Sequence, residues 1–119
     1  MHVPPPSPWR THTLALAPFR DDDLRIYVGR ARGALARRAA GLDTLDQDSS
    51  IELVVVLVPD DTWDVSSSFW LGMFGDSVRR LRPADFRARY QFRGPVSQSD
   101  IESGIEDALA EEYPLGKRW

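Results

Sequence analysis

The densest hydrophobic stretch of this chain is the run 51–58, IELVVVLV, rich in β-branched residues and without clean alternation. Such a run predicts a strand covered on both faces, as in a parallel sheet between helices. Pro59 closes it, and a short acidic loop, PDDTWD, leads into the stretch 65–81, VSSSFWLGMFGDSVRRL. There Trp70, Leu71, Phe74, Val78 and Leu81 fall on one arc at helical spacing. That arc predicts an amphipathic helix docked on the sheet. Ser66, Ser67 and Ser68 open it, and each suits an N-cap, because a short side-chain oxygen can accept from an otherwise unpartnered amide.

The flanking segments continue the alternation of elements. Residues 11–17 (THTLALA) read as a short strand with His12, Leu14 and Leu16 on one face, closed by Pro18. Asp21, Asp22 and Asp23 then offer a cap and a negative first turn for a helix. Its apolar positions are Leu24, Val28, Ala31, Leu35 and Ala39, three or four residues apart. Gly41 stops it, and GLDTLDQDSS reads as a polar loop. Beyond Pro83, FRARYQFR (86–93) sets Phe86, Tyr90 and Phe92 in near-alternation with arginines, which predicts a third strand ended by Gly94 and Pro95. Ser99 and Glu102 form a capping box for a last helix over 100–112, with Ile101, Ile105, Ala108 and Leu109 on its core face. The order β-α-β-α-β-α predicts one small α/β domain over 11–113, with a mainly parallel sheet and right-handed crossovers. The run 51–58 is its central strand. A proline-rich tail, 1–10, and a short tail, 114–119, flank it.

Composition narrows the chemistry. With 119 residues the chain can bury a core without metal or disulfide help. It has no cysteine, which removes thiolate, disulfide and zinc–cysteine chemistry. No apolar run approaches the roughly 20 residues that span a bilayer, and the N-terminus, MHVPPPSPWR, is unlike a signal peptide. The expected location is cytoplasmic. A net charge of −3 argues against general nucleic-acid affinity. The arginine and aromatic strand, Arg87, Arg89, Tyr90, Phe92 and Arg93, is the one RNA-like feature, and the acidic last helix opposes it.

The spacing of Ser67, Ser68, Phe69, Phe74 and Gly75 resembles the STAS-like domain family of bacterial proteins, the DUF4325 group. In that family an apolar strand runs through a short loop into a serine pair, then Phe, and a Phe-Gly one turn later. The similarity covers about 14–109, of which only SSF…FG is specific. Two acidic residues common in the family, at about Val58 and Gly72, are missing. The resemblance implies a regulatory binding module, with serine phosphorylation at the start of this helix and a kinase-like ATPase as partner.

The residues themselves support several readings of the site. Three serines at a helix start are candidate nucleophiles, yet the only imidazoles are His2, in the tail, and His12, near the start of a strand. A capping role explains the serines more simply. Asp60, Asp61 and Asp64 cluster where α/β sheets place functional loops, and form a weak candidate cation site. No phosphate-binding glycine motif accompanies them, and no cofactor is implied. Ser67 and Ser68 are the phosphorylation candidates. Phe69 and Met73 lie off the main arc of the helix, and Gly72 leaves the other flank bare. With Ser66 they predict a protein contact, to a foreign partner or in a homodimer; burial under the first or third helix is the competing expectation. The function expected is a non-enzymatic regulatory protein-interaction module. The alternative is a small enzyme or nucleotide-phosphate binder using the same helix start as an anion site.

Overall fold

Val54, Val55 and Val56 form the middle of β3 (Leu53–Leu57), the central strand of a three-stranded parallel sheet. β1 (Thr11–Ala15) pairs on one side and β5 (Tyr90–Arg93) on the other, with Leu14 and Phe92 both opposite Val56. The computed structural model describes residues 10–20 and 25–112. The expected tails and the expected cap at Asp21, Asp22 and Asp23 lie outside the described residues, apart from Arg10, whose carbonyl accepts from the Glu52 amide beside β1.

Three long helices follow the three strands: α1 (Arg30–Ala40), α3 (Ser67–Leu81) and α5 (Gln98–Glu112). The strand order β1-β3-β5 steps in one direction, so crossovers of one hand put their helices on one face. Burial agrees. Leu14, Leu16, Val54, Val56, Val58 and Tyr90 join the core, whereas Thr13, Ala15, Leu57, Gln91 and Arg93 on the alternate face are exposed. The expectation that helices cover both faces of β3 is therefore corrected. Val55, on the alternate face, is buried, in register between Thr13 and Gln91.

The middle helix is α3. Trp70, Phe74 and Val78 are buried as its arc predicts, and Trp70 and Phe74 join Phe86, Tyr90 and Phe92 in an aromatic cluster with centroids 4.7–6.5 Å apart. On one flank α5 brings Gly104 against the Trp70 ring, where a Cβ would overlap the indole. On the other flank α1 crosses at two glycines. A Cβ at Gly33 would strike the Phe69 carbonyl, and one at Gly72 the Arg30 carbonyl. Only residues without side chains allow backbones so close.

That crossing reverses the expected orientation of α1. Its buried residues are Gly33, Ala36 and Arg37, while Val28, Ala31, Leu35 and Ala39 of the predicted core stripe are exposed and Leu24 lies outside the described residues. The helix also starts later than predicted. Ile26 and Tyr27 form β2, paired in parallel with β4 (Asp64–Val65), and Gly29 at φ +96° separates β2 from α1. Three further expectations change. The polar loop contains α2 (Leu42–Asp46), whose Leu42, Leu45 and Asp46 are buried. The first part of the predicted third strand is α4 (Pro83–Arg89), since Pro83 suits a first helical turn and Phe86 and Tyr90, four apart, both face the core. The Ser97 hydroxyl, rather than Ser99, accepts from the Asp100 amide at the start of α5.

Candidate functional site at the serine turn

The C-terminal end of β3 delivers the chain into the loop 59–63, then β4 and α3. Four tertiary ties hold this connection. The Trp63 amide donates to the Arg25 carbonyl at 2.9 Å and the Ser66 amide to the Tyr27 carbonyl at 2.8 Å. The Arg20 guanidinium donates to Asp61 Oδ1 at 2.8 Å, and the Tyr27 ring packs on Phe69 with centroids 5.3 Å apart. Burial raises the pKa of the Tyr27 phenol, opposed by the Thr62 hydroxyl and Arg20. Both hydroxyls are buried, with no well-formed hydrogen bond among the described residues.

The three serines divide their roles. Ser66 is the N-cap, its Oγ accepting from the Phe69 amide at 3.1 Å. Ser68 is half-buried with its Oγ 3.2 Å from that of Ser66, and Ser67 is exposed. Among the described residues the one imidazole is that of His12, and it does not stand near them. His12 pairs in register with Val54, towards the opposite end of the sheet from this loop. His12 is therefore not placed to act as a base for these serines.

The acidic loop does not gather into a cation cage. Asp60, Asp61 and Asp64 are all exposed, and no group of three carboxylate or imidazole side chains converges among the described residues. Asp61 is instead engaged by Arg20 and, at 3.9 Å, by Arg25. The weak cation site expected there is corrected. So is the patch expected on α3: Phe69 and Met73 are fully buried under α1, and Gly72 touches the α1 backbone. Position 72 has no room for any side chain, because the α1 backbone at Arg30 occupies that space. Of the expected contact residues, only Ser66 retains partial exposure of its side chain in the turn.

What the loop does display is Trp63, 78% exposed between Thr62 and Asp64. Nothing in the sequence marks it, because a lone aromatic in a polar loop carries no periodicity. Its placement depends on the pairing of 25–27 with 63–66, which only the fold creates.

The structure also reveals a buried polar cluster that spacing could not show. Arg37 Nη1 donates to the Met73 carbonyl and to Ser77 Oγ, both at 2.8 Å. Its Nη2 donates to Asp43 at 2.7 Å and to Asp46 Oδ2 at 3.2 Å. The hydroxyls of Ser77 and Tyr90 donate to the two oxygens of Asp46. Burial, then the Asp46 contact, raises the pKa of the Tyr90 phenol. With the guanidinium and both hydroxyls engaged inside the protein, the cluster ties α1, α2, α3 and β5 together and presents no reactive group.

No helix of the described residues is long and apolar enough to cross a membrane. No family model, curated protein or solved structure matches the chain.

Proposed function

We propose that this protein is a non-enzymatic regulatory module, related to the STAS-like group that the SSF…FG spacing resembles. Its contact surface for a protein partner is the end of the molecule formed by the loop 59–65 and the start of α3. The carrying observation is Trp63, exposed to 78% on a loop fixed by backbone pairing to Arg25 and by the Arg20–Asp61 ion pair. A large aromatic held in water by an ordered loop is the residue type on which binding energy concentrates in interfaces. Ser67, four residues further on at the helix start, is exposed and accessible to a kinase. A phosphate there would follow Asp60, Asp61 and Asp64 in the same turn, so it would act by repelling an acidic partner surface rather than by ordering the loop.

The test is retention from native lysate on three immobilised proteins: the unaltered chain, Trp63→Ala and Ser67→Asp. A protein held by the first and released by both variants supports the reading. An identical set on all three, or nothing retained on the first, overturns it.

A further inference from the structure

β5 ends the three-stranded sheet, and among the described residues no strand pairs with its outer edge. Register fixes which backbone groups point there. The Val58 amide donates to the Arg93 carbonyl at 2.7 Å, and Val54 and Val56 stand opposite Tyr90 and Phe92. In a parallel ladder the bonds to β3 then come from Gln91 and Arg93, and the intervening groups point away from it. The N–H and C=O of Tyr90, Phe92 and Gly94 therefore line the outer edge.

Some of these groups are already engaged. The Tyr90 amide closes α4 by donating to the Phe86 carbonyl, and the Gly94 carbonyl accepts from the Val96 amide at 2.8 Å. The groups left for a neighbour are the Tyr90 carbonyl, both groups of Phe92 and the Gly94 amide. This set is its own complement. When two copies of the edge lie antiparallel about a two-fold axis through Phe92, each Phe92 exchanges both its bonds with the other. Each Gly94 amide then meets the Tyr90 carbonyl of the second copy, and the engaged amide of Tyr90 falls opposite the engaged carbonyl of Gly94. A foreign strand, with all its groups free, leaves a carbonyl facing the engaged Tyr90 amide and an amide facing the engaged Gly94 carbonyl.

The side chains agree. On the sheet face away from the helices Gln91 and Arg93 are exposed, and Arg93 Nη2 donates to Gln91 Oε1 at 3.0 Å within one chain. The two-fold sets Gln91 of each copy opposite Arg93 of the other, so donor again meets acceptor and arginine is not opposed to arginine. On the helix side half-buried Phe92 comes beside its counterpart. A groove of about 390 Å³, lined also by Phe86, Gln98 and Ile101, leaves space along this edge. We propose that the chain forms a two-fold dimer through the outer edge of β5, which joins two sheets into one. The joint does not include Trp63 and does not depend on what that loop binds.

The chain has no cysteine, so the register can be tested directly. Sedimentation equilibrium of the unaltered full chain should show a dimer. Gln91→Arg, which sets arginine against arginine, should raise its dissociation constant by roughly tenfold or more. Gln91→Arg combined with Arg93→Glu should restore the dimer. Circular dichroism of both variants should match that of the unaltered chain, because both side chains are exposed. Gln91→Cys and Arg93→Cys, mixed and oxidised, should link to each other, since opposite Cα atoms in such a pair lie about 4.5 Å apart, within disulfide reach. A monomer at every concentration, a dimer indifferent to Gln91→Arg, or a double variant that stays dissociated would overturn the proposal. So would disulfide linkage of either cysteine variant alone as fast as in the mixture, or none in the mixture.

Discussion

Arg37 and Asp46 meet inside the protein, the guanidinium donating to Oδ2 at 3.2 Å, and Asp46 has no side-chain exposure. The pair comes from α1 and α2, and through Ser77 and Tyr90 it reaches α3 and β5. Removing Arg37 strands the buried Asp46 carboxylate, whereas without Asp46 the guanidinium still holds Asp43 at 2.7 Å. Arg37→Met should therefore cost about 3–5 kcal/mol in denaturant unfolding. Arg37→Met with Asp46→Leu should cost much less than the sum of the two single changes, because no charge is then stranded. Additive losses would show that the two side chains act independently.

Tyr90 sets an alkaline limit. Burial and the Asp46 carboxylate raise its folded pKa above the ordinary value of about 10. Its contribution is thus complete below about pH 10 and is lost as pH rises above that value, because the unfolded chain ionises first. Tyr27, also raised by burial, adds to the same slope. Tyr90→Phe should cost about 1.5–3 kcal/mol at neutral pH and flatten the fall in melting temperature above about pH 10. An unchanged alkaline slope in the variant would assign the limit to other groups.

The α1–α3 crossing admits no side chain. Gly72→Ala should destabilise by about 1–3 kcal/mol through overpacking against the Arg30 carbonyl, despite alanine's better helix propensity. Gly41→Ala serves as a contrast. It meets no atom within 4 Å, and its loss arises from backbone strain at φ +68° alone. Chemical unfolding of both, with a structure of Gly72→Ala showing α1 displaced, checks the account.

At the serine turn, Ser66→Ala should cost about 1 kcal/mol by removing the cap on the Phe69 amide. Ser67→Ala should stay within about 0.5 kcal/mol, as its side chain is exposed and makes no cap. Equal losses at both positions in thermal or chemical unfolding would mean that the cap is shared.

The central strand, the helix after the serines and the last helix could be read from the sequence, the first from its run of β-branched residues and the two helices from the periodicity of their apolar positions. The run 51–58 could hardly lie anywhere but in a buried strand, and Trp70, Phe74 and Val78 define their own face. A resemblance in SSF…FG supplied an expected role, but the surface once expected at Phe69 and Met73 is interior. Tertiary contact decided that, and the decisive atoms were those glycine lacks. Gly33 and Gly72 let two backbones touch, and this close approach chose the small-residue face of α1 over its larger Val28–Leu35 stripe. The same kind of long-range pairing, β2 with β4, cut short a predicted helix and lifted Trp63 into solvent. Asp46, in what reads as a polar loop, became a buried acceptor because Arg37, Ser77 and Tyr90 arrive from three other elements. Periodicity reports which side of an element is apolar. Which neighbour comes closest, and so which side is covered, depends on backbone approach and partner atoms far apart in sequence.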